Sequence, residues 1–291
     1  MKLASAARGV LLALASALGF GLIPIFALYA YRGSINVFTL LLLRFSLSAL
    51  LLFGFLALRR RPLRPALSAM AQMAVLGLGY TLQSGFYFSA VRFIPVSLAA
   101  LILYSYPAFV CLLAFLVEGE KPTGRTLAAL AVALAGVVLV LGTACGKANL
   151  QGVLLALGAA LVYSGYITLA NRVLRRVEPL TTIAFVSLFA AAGYALLGTA
   201  TRSLDFRFAP WTWTVILALI GVSTLLAIFA FFRSLELLGP TRTSIISMTE
   251  PLFTIGLSAL LFAERLTLLR AAGGALVLGG TVLLTVTRRR S

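Results

Sequence analysis

The chain has no histidine, only two cysteines and only seven acidic residues among its 291. The absence of histidine removes the commonest metal ligand and the commonest general base. Cys111 sits in an apolar run and Cys145 in a short connection, so neither a disulfide framework nor a zinc or iron ligand set is expected. No G-x-x-x-x-G-K stretch occurs, and no polar domain is present to hold one, so ATP is not the energy source. Charged residues make up 11% of the chain, where a soluble domain carries about a quarter. A soluble fold is excluded by that scarcity. No metal, cofactor or catalytic residue is expected.

What the chain has instead is apolar length: 62% of its residues are hydrophobic. About 20 such residues cross a bilayer as a helix, and that ruler gives ten spans, at roughly 9–31, 35–58, 67–89, 95–117, 125–144, 150–171, 180–200, 211–233, 241–262 and 267–287. The loops between them are short. Lys2 and Arg8 precede the first span, but its apolar run is longer than a signal-peptide core, so it is expected to be retained.

The formal charge of +17 is not a basic face for nucleic acid. Arg59–Arg61, Arg172 with Arg175 and Arg176, and Arg288–Arg290 all lie at the ends of apolar runs, as topology determinants do. With the N-terminus inside, sixteen Lys and Arg fall on the cytoplasmic side and seven on the other, with Arg44 inside a span. Both termini are therefore expected in the cytoplasm.

The chain is also written twice. Gly9–Leu18 reads GVLLALASAL and Gly152–Leu161 reads GVLLALGAAL. At an offset of 144, Pro107 falls on Pro251, Phe109 on Phe253, Glu120 on Glu264 and Gly136 on Gly280. Two five-span units, 1–147 and 148–291, are expected. An odd span count inserts the second copy upside down, which predicts an all-α polytopic fold of ten transmembrane helices in two inverted repeats.

These features resemble the drug/metabolite transporter superfamily, and within it the EamA-domain members. Ten spans in two five-helix repeats carry the resemblance, together with Glu250-Pro251 in SMTEPLF, Tyr106-Pro107 in YSYPAF and Arg44-Phe45 in LLLRFSL. It covers nearly the whole chain. Many members have a Trp in the first span, where this chain has Phe20-Gly21. The resemblance implies a secondary transporter that exports amino acids or related metabolites by alternating access, and the short loops and retained first span make the bacterial inner membrane its expected location. Related branches carry sugars, nucleotide sugars or lipid-linked sugars.

At about 1.5 Å per residue, Phe20, Tyr80, Gln83, Tyr104, Tyr106, Tyr163, Ser223 and Glu250 fall near the middle of their spans, where inverted repeats bind substrate. Tyr80, Gln83 and Tyr87 share one helix face, as do Tyr163 and Tyr166. These residues are expected to line a cavity; the structural alternative is interhelical hydrogen bonding. Glu250 is the only deep acid and Arg44 the only deep base. Glu250 is a candidate to carry protons, to bind a substrate ammonium or to pair with a cation. Arg44 is expected to bond structurally, with a substrate carboxylate as the alternative. Pro107 and Pro251 are expected to break their helices at matched places, and Pro24 to kink the first span. Gly77, Gly79, Gly273, Gly274, Gly279 and Gly280 are expected to be close-packing points.

A small-molecule substrate, lipid and, as a candidate co-substrate, protons are the expected partners. A membrane-embedded enzyme would need a histidine, a metal cluster or paired acids within the spans. A channel would leave a continuous polar stripe. Neither pattern is present.

Overall fold

A computed structural model describes residues 2–60, 65–90, 93–94, 96–141, 149–262 and 268–285. Arg61, Arg64, Arg92, Cys145, Lys147, Glu264, Arg265, Arg288–Arg290 and the expected boundary at 147/148 lie outside them. Among the described residues the elements are α1 (Lys2–Gly21), α2 (Ile23–Arg32), α3 (Val37–Leu58), α4 (Leu67–Ala90), α5 (Val96–Leu103), α6 (Tyr106–Glu118), α7 (Gly124–Leu141), α8 (Leu150–Leu174), α9 (Pro179–Ala200), α10 (Thr212–Ala218), a π-helical segment (Leu219–Leu226), α11 (Ala227–Leu238), α12 (Pro240–Ser247), α13 (Glu250–Phe262) and α14 (Leu268–Thr285). No strand occurs among them.

Among the described residues, six apolar stretches are long enough to cross a bilayer: Ser5–Arg32, Val37–Leu58, Leu98–Val117, Leu150–Leu174, Pro179–Ala200 and Thr212–Leu238. Shorter apolar stretches lie within α7 and α14. The protein is a multi-pass, all-α membrane protein. Leucines such as Leu50, Leu116 and Leu226 are exposed on the outside of the bundle, as a lipid-facing surface requires. Helix ends are closed by local chemistry. The Asn36 side chain accepts from the Thr39 amide at 2.9 Å, and that of Asn149 from the Gln151 amide at 2.9 Å, each satisfying an amide that a helix start leaves open. Gly239, at φ 81°, turns the chain from α11 into α12.

Three stretches predicted as spans are split at proline. α1 gives way to α2 just before Pro24, α5 to α6 before Pro107, and α12 to α13 before Pro251. A proline has no amide hydrogen for the carbonyl four residues back, but the first turn of a helix needs none. Restarting the helix at Ile23, Tyr106 and Glu250 puts each proline at that tolerated place. The breaks at Pro107 and Pro251 are built alike. The Ser105 hydroxyl donates to the Ile102 carbonyl at 2.6 Å, and the Thr249 hydroxyl to the Ile246 carbonyl at 2.8 Å. The eighth expected span is also interrupted, by the π-helical segment, which no proline announces.

The most extensive helix contacts are α7 with α14, α4 with α8, α3 with α9, and α1 with α11. Two of these approaches occur twice, at repeat-related positions. A Cβ on Gly9 would lie 2.7 Å from the Leu238 side chain, and one on Gly152 would lie 2.8 Å from that of Ile94. A Cβ on Gly136 would lie 2.6 Å from the Gly273 carbonyl oxygen, and one on Gly280 2.7 Å from that of Ala129. Gly77 is also a close approach, onto Phe189 and the Val186 carbonyl, whereas Gly79 and Gly279 have nothing within 4 Å and are not packing points. Free Cys111 is buried in the cluster with Ile245, Met248 and Val277.

Candidate functional site

The broken helices converge on an inner cavity of about 140 Å³. Phe20 and Ile23 enter it from either side of the α1/α2 break. Tyr80 and Gln83 come from α4, Leu103, Tyr104 and Tyr106 from the α5/α6 break, and Tyr163 and Tyr166 from α8. Ile228, Phe231 and Phe232 come from α11, and Glu250 from the start of α13. An outer cavity of about 380 Å³ shares Ile23, Tyr80, Gln83, Leu103, Tyr104 and Glu250 with it and extends past Tyr87, Arg44 and Thr254. The two spaces therefore meet at one level, marked by Glu250.

Eight aromatic rings line the inner cavity, and most form one contiguous shell. Tyr106 meets Tyr163 edge-on at 4.8 Å between centroids, Tyr163 stacks on Tyr166 at 5.9 Å, and Tyr80 meets Tyr166 at 5.9 Å. Tyr166 continues to Phe232 at 6.5 Å, Phe232 to Phe231 at 6.2 Å, and Phe231 to Phe20 at 6.2 Å. Such edge and offset contacts suit the ring quadrupole and hold the shell's shape.

Glu250 is the carboxylate of both linings. It stands in the first turn of α13, where the helix dipole favours negative charge. Tyr104 stands beside it in both linings, and Tyr87, Tyr106 and Tyr163 lie close enough to feel its charge. Gly21 lets α1 approach closely, since a Cβ there would lie 3.1 Å from the Glu250 carbonyl oxygen. The Tyr106 hydroxyl donates to the Ser244 carbonyl at 3.3 Å.

Arg44 is 2% exposed. Its Nε donates to Thr224 Oγ1 at 2.6 Å and its Nη2 to the Ser223 carbonyl at 3.0 Å, while the guanidinium lies 5.1 Å over the Phe45 ring. The cation thus serves the π-helical segment, whose irregular backbone leaves a carbonyl to be satisfied, rather than Glu250.

Of the sequence-derived set, the structure brings Phe20, Tyr80, Gln83, Tyr104, Tyr106, Tyr163, Tyr166 and Glu250 around the inner cavity and Tyr87 around the outer one. Pro24 and Pro251 line the outer cavity, and Pro107 is buried and in neither lining. Ser223 is the correction. It lies at the same depth but is absent from both linings, fully buried, with its hydroxyl donating to the Gly19 carbonyl at 2.6 Å. Ile228, Phe231 and Phe232 were missed because in sequence they are indistinguishable from packing residues. Tyr194 was missed too. It lines the outer cavity, stacks on Phe45 at 5.6 Å and hydrogen-bonds to Ser84 at 2.7 Å. Among the described residues no group of histidine, cysteine or acids could hold a metal.

Residues 7–142 and 150–286 each match the EamA-like transporter family. An uncharacterized transporter of Archaeoglobus fulgidus is 27% identical over 80% of this chain and 83% of its own length. Another, sll1319 of Synechocystis, is 27% identical over 65% of this chain. That match spans 58% of the Synechocystis protein. One crystal structure superposes with a TM-score of 0.82 over 98% of both chains at 22% identity, which shows the fold.

Proposed function

This chain belongs to the EamA-like transporter family, and on that premise we propose that it is a secondary transporter exporting a small amphipathic metabolite, an amino acid or a related compound, across the bacterial inner membrane. The observation that carries the reading is the inner cavity, lined from both repeats by eight rings, one amide and one carboxylate. A ring or aliphatic chain packs on the tyrosines while a polar group reaches Gln83 or Glu250. A sugar or lipid-linked sugar would call for more amide and acid groups than this lining offers.

The ten spans form two inverted repeats, 1–147 and 148–291, with both termini cytoplasmic. Exchanging the halves turns the α4/α8 contact into the α11/α1 contact and returns α3/α9 and α7/α14 onto themselves. The doubled glycine approaches support the same twofold relation. In this orientation the outer cavity lies in the half facing away from the cytoplasm, towards Tyr87 and Phe88 at the far end of α4. On the cytoplasmic side, Tyr166, Phe231, Phe232 and Leu235 pack in the core and separate the inner cavity from a vestibule of about 520 Å³ bordered by Glu120, Arg175, Arg233 and Glu236. This is an outward-facing arrangement, and alternating access moves that packed layer. Counterflow in proteoliposomes against amino acids, sugars and cationic drugs tests the reading; no exchange of any of them would leave it without a substrate.

A further inference from the structure

Resting on the transporter reading above, we infer that the cavity selects its substrate by a cationic amine and has no seat for a substrate carboxylate, so that an aralkyl amine is preferred over the amino acid it derives from. Among the described residues, the inner lining holds one carboxylate, Glu250, and no Lys or Arg. Around that carboxylate stand the faces and edges of eight rings, and an ammonium enclosed by aromatic faces is attracted by their quadrupoles, more strongly where water is excluded. Negative charge on one side and aromatic rings on the others form a receptor for a single positive charge on an apolar body.

The backbone adds no cation, and the positive dipole end at the start of α13 is already occupied by Glu250. Pro24 and Pro107 withhold the amide hydrogen that an unbroken helix would give to the carbonyls of Phe20 and Leu103, and both of those residues line the inner cavity. Arg44 borders the outer cavity and is not among the residues of the inner lining, and two of its N–H groups are held by Thr224 and the Ser223 carbonyl, with its face on Phe45. A zwitterionic amino acid that placed its ammonium against Glu250 would leave its own carboxylate with only neutral donors, the tyrosine hydroxyls and the Gln83 amide, and without a paired cation, which is a cost.

The test uses phenethylamine, phenylalanine and phenylpropionate, which share one ring and differ in charge. Radiolabelled phenethylamine is exchanged in proteoliposome counterflow, with each unlabelled compound as competitor. The thermal midpoint of the detergent-solubilised protein is followed with the same three. The amine is expected to exchange and to raise the midpoint, phenylalanine to compete at least about tenfold more weakly, and phenylpropionate not to compete. Glu250→Gln is expected to erase the difference between amine and amino acid. Phenylalanine equalling or exceeding the amine in the wild-type protein overturns the assignment and leaves the transport reading standing. Failure of all three to exchange or to shift the midpoint overturns it as well, and the wider substrate panel then decides whether transport falls with it. The wild-type competition decides the matter even if Glu250→Gln does not fold.

Discussion

Tyr106 and Glu250 occupy the same place in the two halves of the chain: each opens the helix that follows a proline break, and each faces the inner cavity. The breaks beneath them are built from the same hydroxyl-to-carbonyl bond, at Ser105 and Thr249. The scaffold is thus duplicated, while the group it presents differs: a phenol in one half and a carboxyl in the other.

Glu250→Gln keeps the shape of the side chain and removes its charge. A hydrogen bond to a charged group contributes about 1.5–3 kcal/mol, so affinity for a basic substrate should fall by about ten- to a hundredfold. Among the described residues Glu250 is the one carboxyl in the two linings, so any pH dependence of wild-type transport should flatten in the variant. Proteoliposome uptake across a pH series reads both effects, and a variant with the wild-type rate and pH profile would remove Glu250 from the mechanism.

Tyr80→Ala and Tyr163→Ala each remove a ring that touches two others. Aromatic contacts add about 0.5–1.5 kcal/mol beyond the area they bury, so half-saturation should rise roughly threefold to tenfold. The thermal midpoint in detergent should move far less than that of a core truncation. Stable variants that transport at the wild-type rate contradict an aromatic cavity.

Arg44→Met should act on the fold. It leaves the Ser223 carbonyl and the Thr224 hydroxyl without their buried donor, at about 1.5–3 kcal/mol. The expected result is a lowered thermal midpoint with unchanged half-saturation in the protein that survives. Normal stability with lost affinity would instead place Arg44 in the binding site.

Gly136→Leu and Gly280→Leu should destabilise by similar amounts, about 1–3 kcal/mol each, because each drives a side chain into the backbone of the facing helix. Gly79→Leu and Gly279→Leu, which point into open space, should stay within about 0.5 kcal/mol of wild type. Unfolding in detergent measures all four.

Depth was legible in the sequence, and rotation about the helix axis was not. Counting residues along each span placed Phe20, Tyr80, Tyr163 and Glu250 at one level, and all four meet there. The same count placed Ser223 at that level, yet it points towards α1 and bonds to Gly19. Apolar residues on every side of these helices give no polar face from which to read rotation. Phe231 and Phe232 were hidden for that reason. The prolines marked three breaks, but nothing in LIGVSTLL marks the π-helical segment. Its reason is tertiary: the Arg44 guanidinium, 179 positions away in sequence, supplies the donor for its Ser223 carbonyl.

The doubled glycine seats bear on how such a chain originates. Gly9 and Gly152 each meet the same kind of corner, and α7 and α14 present the same small-residue face to each other. A surface complementary to its own copy needs no second sequence to recognise it. If the repeats are inverted as proposed above, one ancestral five-helix unit, inserted in both orientations, would already have carried both sides of every seat as a homodimer. Fusing two such genes asks only for a connecting peptide, and it frees the position of Tyr106 and Glu250 to diverge without disturbing the contacts that hold the halves together.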